Sequence, residues 1–246
     1  MRANYTLPRL YLEAELAFNE TITLDKAQAH YLGTVLRKSI GDNVRIFNGR
    51  DGEWRAEITG LDKKRGTLRT IEKTRPPTPC PDIWLCFSLV RKHRNSFIFE
   101  KGTELGVSRF QPVVTARTQF PKMKLEKEKA HIIEAAEQTE RLDIPQLRAG
   151  VTLEALLSGW DKSRLLIFAD EAGDAPKAQA LMATLPAETP CALLIGPEGG
   201  FTPHEREMLR NKPYVRPVSL GPRILRADTA ALSLLTLWQA ELGDWA

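Results

Sequence analysis

The sequence has few cysteines. Its 246 residues include three, Cys80, Cys86 and Cys191, an odd number without the paired spacing of a zinc site. Cys86 and Cys191 lie in apolar, strand-like runs, which favours buried thiols. We therefore expect no structural disulfide, no metal site and a reducing cytosol as the surroundings of the protein.

Long hydrophobic runs are also lacking. No run approaches the roughly 18 apolar residues of a membrane helix. Pro8 and charged residues follow Met1–Tyr5, so no signal peptide is expected. These absences predict a cytoplasmic protein without a membrane partner. With 42% hydrophobic residues, the chain can still build one large core or two smaller ones.

The motifs of two common nucleotide sites are missing from the glycine-rich segment Gly196–Gly200. The segment reads Gly-Pro-Glu-Gly-Gly, without the lysine and hydroxyl of a G-x-x-x-x-G-K-[ST] loop and without the G-x-G-x-x-G spacing. A nucleoside triphosphate site and a dinucleotide fold are therefore disfavoured.

Positive charge is present in excess, but unevenly. The net charge is +4; residues 1–75 hold 14 Lys and Arg against 10 Asp and Glu, and residues 76–246 hold 21 of each sign. A basic first third beside a neutral remainder fits an anionic partner such as nucleic acid. Arg9, Arg37 and Lys38 are candidate phosphate contacts, although Arg37 and Lys38 could instead balance a helix C-terminus.

Residues 1–72 are predicted to form a small, mostly β domain with one helix over 25–38. Short alternating runs lie between glycine-containing turn signals such as Asn48-Gly49. Predicted strands lie around residue 11 and over 21–24, 44–47, 54–58 and 67–71. Four prolines within 76–81 then interrupt regular structure, which predicts a stiff linker over 73–81.

From residue 82 onward, strand and helix patterns alternate. Strands are predicted over 83–90, 109–114, 165–169, 192–195 and 214–220. Helices are predicted over 96–105, 126–141, 175–184, 203–211 and 229–242. Such alternation predicts an α/β domain with a mainly parallel sheet covered by helices.

Two strand-loop-helix units stand out near the C-terminus. Each predicted strand ends in a Gly-Pro dipeptide, Gly196-Pro197 and Gly221-Pro222. Thr202-Pro203 with Glu205 predicts a helix start after the first loop, and Asp228 or Thr229 could cap the helix after the second. Since glycine lets a ligand approach the main chain closely, the two loops could grip one ligand together.

Two further groups of polar residues are candidates for a functional role. Arg91, Lys92 and Arg94 follow the first strand of the α/β domain, at the sheet edge where such folds bind ligands, and are candidate phosphate contacts or a solvated turn. Gln138 and Arg141 lie one turn apart on the predicted helix 126–141 and could share a functional face or be solvated.

The two loops carry a resemblance to a known family. Leu194–Thr202, followed by Leu220–Ala230, resembles the paired C-terminal motifs of the RsmE family of SPOUT methyltransferases. Lys101–Val107 and Glu134–Arg141 with Ile144-Pro145 resemble further segments of that family, and residues 30–42 resemble its PUA-like RNA-binding domain. One departure is Asp228, where glutamate is usual.

The resemblance implies an S-adenosylmethionine-dependent enzyme that methylates N3 of a uridine in small-subunit (16S) ribosomal RNA. It implies a PUA-like domain over 1–72 and a SPOUT domain over 82–246, with a C-terminal trefoil knot through which two subunits pair. The implied cofactor contacts are Leu194, Ile195, Gly196, Pro197, Glu198, Gly199, Gly200, Leu220, Gly221, Ile224, Leu225 and Arg226.

The chemistry of the target suggests roles for four residues. Uridine N3 carries a proton that is lost only well above neutral pH, so the enzyme must help remove it or stabilise the anion. Arg226 is our first candidate for holding the anionic base, and Glu198 is the nearest candidate general base, although it could equally hold its loop. Gln138 and Arg141 are candidates for orienting the base or its phosphate.

Three alternatives remain open at this point. The protein could be a non-catalytic rRNA-binding assembly factor. It could be a related enzyme that methylates another position, such as a ribose 2′-hydroxyl. It could also act on a small anionic metabolite, in which case the basic first domain would be incidental.

Overall fold

The computed structural model describes residues 6–78 and 80–246. Residues 1–5 of the predicted first domain and Pro79 of the predicted linker therefore lie outside the described part. The chain divides into two compact units, the first formed by Met1–Pro79 and Ala136–Ile144 and the second by Cys80–Ala135 and Pro145–Ala246. The inclusion of residues 136–144 in the first unit is not foreseen by the sequence patterns.

The first unit contains a five-stranded sheet. Its strands are β1 (Arg9–Tyr11), β2 (Thr21–Leu24), β3 (Asn43–Phe47), β4 (Glu53–Leu61) and β5 (Gly66–Arg75), in the order β1-β3-β4-β5-β2. β1 pairs in parallel with β3, and the other pairs are antiparallel. Because β5 continues to Arg75, residues 73–75 are strand, which corrects the start of the predicted linker.

The predicted helix over 25–38 is shorter and less regular than expected. Helix α1 (Lys26–His30) starts at a capping box between Asp25 and Gln28, and Tyr31–Val35 continue as a π-helical turn. Arg37 then takes a left-handed φ of 52°. Since α-helical residues need a negative φ, this residue ends the helical path.

A buried charge network connects residues 136–144 to the sheet of the first unit. The Arg9 side chain donates to the Glu53 carboxylate at 2.8 Å, to the Ala136 carbonyl at 2.8 Å and to the Arg141 carbonyl at 2.8 Å. Arg45 donates to both carboxylate oxygens of Glu140, at 2.7 and 2.8 Å. These bonds hold residues 136–144 against the sheet. The side chains that make them are charged, and charged residues are expected at the surface from the sequence alone.

The second unit is an α/β domain with a parallel sheet, as predicted. Its strands are β6 (Ile83–Ser88), β7 (Arg109–Val114), β8 (Gln146–Leu147), β9 (Val151–Thr152), β10 (Leu165–Ala169), β11 (Cys191–Ile195) and β12 (Val215–Val218). The order is β12-β10-β11-β6-β7-β8, and β9 also pairs with β7. All of these pairs are parallel.

Helices connect these strands. They are α2 (Lys92–Glu104), α3 (Leu125–Gln138), α4 (Leu153–Ser158), α5 (Ala178–Met182), α6 (Pro203–Arg210) and α7 (Ala227–Leu242). The sequence patterns do not predict β8, β9 and α4, because elements of two to six residues are too short to show a period. Helix α2 is predicted to begin at Ser96, but it begins at Lys92. None of the helices in the described residues is long and apolar enough to cross a membrane.

The strand order places three loops at one edge of the sheet. β12, β10 and β11 are adjacent and parallel, so their carboxyl ends meet there. The segments 170–177, 196–202 and 219–226 leave the sheet at these ends. In open α/β sheets this edge is where ligands bind.

Cysteine accessibility gives a test of the packing. No disulfide joins the three cysteines; Cys86 and Cys191 are fully buried, as predicted, and Cys80 is half-buried. Burial raises the pKa of the Cys86 thiol to about 12. We expect a thiol reagent to label at most one cysteine, Cys80, in the native protein and all three after denaturation, because the thiolate is the reactive form. Rapid native labelling of Cys86 would contradict this core.

Candidate active site

A cavity of about 310 Å³ lies between the three loops at the carboxyl edge of β10, β11 and β12. Its volume falls in the range of small-molecule sites, about 300–1,000 Å³. The lining combines apolar side chains, glycine main chain and carboxylates. It consists of Ala169, Asp170, Glu171, Gly173, Ile195, Gly196, Pro197, Glu198, Gly199, Gly200, Ser219, Leu220, Gly221, Pro222, Arg223, Ile224, Leu225, Ala227 and Ala230.

The first loop, residues 196–202, turns sharply out of β11. A Cβ at Gly196 would lie 2.9 Å from the ring of buried Phe201, so only glycine fits there. Gly200 has a φ of +67° and donates to the Pro197 carbonyl at 2.8 Å. The predicted capping box is confirmed: the Thr202 side chain accepts from Glu205 N, and the Glu205 carboxylate accepts from Thr202 N. Loop and helix α6 are thus one ordered unit.

The second loop, residues 219–226, is more open. Gly221 has a φ of +110°, and the Ile224 side chain is 86% exposed beside the cavity. The predicted cap of α7 is wrong: the N-cap residue is Arg226, and it makes no side-chain capping bond. The exposed Arg226 guanidinium makes no hydrogen bond or ion pair with the described residues. It is therefore available to a ligand at the cavity edge.

The third loop follows β10, and the sequence patterns do not predict its part in the site. Asp170 is buried and forms ion pairs with Arg206 at 3.0 Å and Arg210 at 2.7 Å, both on α6. The exposed carboxylate of Glu171 lies against Gly200, where an added Cβ would overlap it. The local signal is only that acidic residues and a glycine follow the predicted strand 165–169. The sheet order shows that this strand lies between the other two.

Arg94 joins the first loop to α7. Its side chain donates to the Asp228 carboxylate at 2.7 Å and lies 3.8 Å from the Glu198 carboxylate. Asp228 therefore pairs with Arg94 rather than capping α7. This pairing corrects the expected role of Arg94, because a guanidinium shared by two carboxylates holds the site together rather than standing free for RNA phosphate.

Most of the predicted cofactor residues line the cavity. Leu194 and Arg226 do not: Leu194 is buried in β11, and Arg226 lies next to lining residues Leu225 and Ala227. Gln138 and Arg141 belong to the first unit, whereas Glu198 and Arg226 belong to the second. Gln138 is exposed, but the Arg141 side chain is buried and pairs with Asp143 at 2.7 Å. A direct base contact by Arg141 is therefore disfavoured.

The predicted RNA contacts divide into buried and accessible residues. Arg9 is 5% exposed, and Glu53 and main-chain carbonyls satisfy its guanidinium, so the expectation that it contacts RNA is wrong. Arg37, Arg91 and Lys92 are exposed and Lys38 is half-buried, which leaves these four accessible. Among the residues that the structure describes, no cluster of potential metal ligands occurs.

Comparison with known families shows to which family the chain belongs. Residues 76–239 match the RNA methyltransferase domain family, and residues 24–71 match the RNA methyltransferase PUA domain family. The chain belongs to the RNA methyltransferase family. The matched regions contain the three cavity loops and most of the β-rich unit, in agreement with the motif resemblance.

Relatives of this RNA methyltransferase chain extend over nearly its whole length. It is 31% identical to ribosomal RNA small subunit methyltransferase E of Rickettsia conorii, an alignment that covers 92% of this chain and 93% of the relative. It is 35% identical to the protein of the same name from Synechocystis, over 90% and 74% of the two chains. The RsmE resemblance predicted from the loops is confirmed.

Solved structures agree in fold. The ribosomal RNA small subunit methyltransferase E of Neisseria gonorrhoeae, bound to S-adenosyl methionine, superposes with a TM-score of 0.88 at 26% identity, covering 98% of this chain and 100% of that one. A Legionella pneumophila protein in complex with bound S-adenosylmethionine superposes with a TM-score of 0.86 at 29% identity, covering 97% and 99%.

Proposed function

We propose that this chain is an S-adenosylmethionine-dependent methyltransferase that acts in the cytoplasm on small-subunit (16S) ribosomal RNA. Within that activity, we propose N3 of one uridine as the methylated atom. The family, the names of the relatives and the cofactor of two similar structures support this reading.

The cavity between the three loops is the observation that carries the proposal. Apolar Leu220, Ile224 and Leu225 suit an adenine ring, and the glycine main chain at 199–200 offers donors and acceptors at close range. The carboxylates of Glu171 and Glu198 suit a cofactor with a positive sulfonium and would repel a triphosphate. The residues present therefore fit S-adenosylmethionine.

The reaction determines what the chain must supply. The bound cofactor supplies a methyl group on a sulfonium: a bond from N3 to the methyl carbon forms, the sulfur–carbon bond breaks, the sulfur becomes a neutral thioether, and the N3 proton leaves. The protein must align the base and compensate the negative charge of deprotonated uracil. We assign the charge compensation to Arg226, because its guanidinium stays ionised and has no partner among the described residues.

We propose Glu198 as the nearest candidate general base for the N3 proton. Its carboxylate lines the cavity and is about a third exposed, and it lies 3.8 Å from Arg94. We keep Gln138 as a proposed contact for the base, since its side chain lies at the surface. Arg141 is proposed instead to hold residues 141–143 in place through Asp143.

The RNA is proposed to contact exposed basic residues. Arg37 and Lys38 of the first unit and Arg91 and Lys92 of the second remain the candidate phosphate contacts. Binding through phosphates should weaken steeply with salt. A salt-independent affinity for rRNA would contradict these contacts.

The trefoil knot and a homodimer through α7 remain part of the proposal. Leu235 and Trp238 of the predicted dimer face are buried within the chain, whereas Leu232 and Leu242 are half-buried and could take part in a contact. Light scattering that gives twice the chain mass would support the dimer. A knot would shorten the extension measured when the chain is pulled from both ends.

Gly196→Ala is expected to weaken S-adenosylmethionine binding at least about tenfold, because the added Cβ forces the loop away from buried Phe201. Calorimetric titration measures the effect. Gly159→Ala is the matched control, since its Cβ would meet only ordinary contacts at 3.5 Å, far along the chain from the loops. Equal affinities in the two variants would remove the first loop from the cofactor site.

Transfer of a labelled methyl group tests the function as a whole. Purified protein with labelled S-adenosylmethionine should label small-subunit rRNA, presented either as naked RNA or as an assembled subunit. A non-catalytic assembly factor would instead bind the rRNA without saturable cofactor binding. Label in neither substrate, with the cofactor bound, would overturn the proposed substrate.

A further inference from the structure

A second hollow adjoins the cofactor cavity. It is lined by Leu89, Val90, Arg117, Gln119 and Phe120, together with Pro197, Glu198 and Gly199 of the first loop. The last three residues also line the cofactor cavity, so this one loop separates two concave surfaces. The volume of the hollow is only about 10 Å³, so a nucleotide base could rest against its rim but could not enter it.

The segment after β7 is held firmly against the loop. Arg117 Nη1 donates to the Gly199 carbonyl at 2.7 Å, and Ala116 N donates to the buried Glu205 carboxylate at 2.8 Å. Behind them, the Thr118 hydroxyl accepts from Thr115 N at 2.8 Å and bonds to the Ser88 hydroxyl at 2.6 Å. These bonds give the hollow a defined wall.

Phe120 stands exposed at this wall. Its side chain is 43% exposed, although a phenylalanine gains stability by burial. Single exposed aromatic residues are common, and Phe97 on α2, 40% exposed, is one that lines neither concave surface. Phe120 differs from Phe97 in its place, beside the loop that carries Glu198.

An unstacked RNA base can stack on an aromatic side chain, and arginine binds the phosphate of a nucleotide. Phe120 supplies the aromatic face. Arg117 can donate to the phosphate, because it is exposed and, among the described residues, only its Nη1 is engaged, by the Gly199 carbonyl. The shared loop would bring a base at this hollow next to a cofactor in the cavity, as in-line transfer requires.

We propose that Phe120 and Arg117 are positioning residues for the target nucleotide: the uracil stacks on the Phe120 ring, and Arg117 contacts its phosphate. This inference rests on the proposed rRNA methyltransferase function. It assigns the nucleotide subsite to the segment 115–120, on the β7 side of the Glu198 loop.

Steady-state methylation of small ribosomal subunits by the full chain tests the inference. Phe120→Ala should lower kcat/KM for RNA about 10- to 100-fold, the range of one lost stacking contact. Its S-adenosylmethionine Kd should remain that of the wild type. Phe120→Trp should restore most of the activity, because tryptophan keeps an aromatic ring on which a base can stack. Phe120→Leu should not, because leucine offers only an apolar contact.

Phe97→Ala is the matched control and should keep wild-type kcat/KM. Arg117→Ala should raise the KM for RNA and weaken its salt dependence. If the wild type methylates the RNA and Phe120→Ala matches Phe97→Ala, or if Phe120→Leu restores activity as well as Phe120→Trp, the inference is wrong. If the wild type itself transfers no methyl group, the proposed function fails instead.

Discussion

Replacing Arg226 with alanine is expected to lower the rate of methyl transfer about 10²- to 10³-fold, the cost of removing one group that stabilises developing negative charge. The Arg226 guanidinium is exposed at the start of α7, next to cavity residues Leu225 and Ala227. Its side chain has no partner among the described residues, so its removal leaves no buried charge behind. Single-turnover kinetics at saturating cofactor measures the loss.

Two further measurements separate chemistry from binding. The S-adenosylmethionine Kd of Arg226→Ala should change little, because Arg226 does not line the cavity. Arg226→Lys should retain part of the rate, since it keeps the charge but not the planar guanidinium. Arg216→Ala, an exposed arginine on β12, is the control and should be fully active. Wild-type turnover in Arg226→Ala would remove this residue from the mechanism.

Replacing Glu53 with alanine is expected to reduce the free energy of unfolding by about 3–5 kcal/mol. Glu53 is 1% exposed and pairs with Arg9 at 2.8 Å and with Arg45 at 3.6 Å. Burial lowers the pKa of Arg9, and Glu53 opposes that effect. Without Glu53, a desolvated guanidinium would remain with main-chain carbonyls and a neighbouring cation, Arg45.

Glu72→Ala is the matched control for Glu53→Ala. The Arg55–Glu72 pair has a similar distance, 2.9 Å, but the Glu72 side chain is 54% exposed. Exposed pairs contribute about 0–1 kcal/mol, so denaturant unfolding of Glu72→Ala should differ little from the wild type. Equal losses in the two variants would show that the buried network does not hold the first unit together.

The buried charge network also explains why the predicted phosphate contact of Arg9 is wrong. The sequence shows an excess of basic residues in the first third, which predicts Arg9 as a phosphate contact. Its partners Ala136 and Arg141 stand more than a hundred residues away, and no local pattern announces that residues 136–144 return to the first unit. Hydrogen bonds between residues so far apart in the chain cannot be predicted from composition.

The paired loops were predictable because their signals are local. Gly196 and Gly221 mark sharp exits from apolar runs, and the Thr202–Glu205 capping box fixes where α6 begins. The third loop was not found, since Asp170 and Glu171 become relevant only when β10 is placed between β11 and β12. Strand order is a property of the whole sheet, and single runs do not encode it.

The proposed uridine-N3 methylation is tested by finding the position of the new methyl group. We would incubate the purified protein with S-adenosylmethionine and small ribosomal subunits, digest the rRNA to nucleosides and fragment the methylated product by mass spectrometry. We expect one added methyl group on the base of a uridine, at N3. A methyl group on ribose, on another base, or no methyl group on rRNA that the protein binds would contradict it.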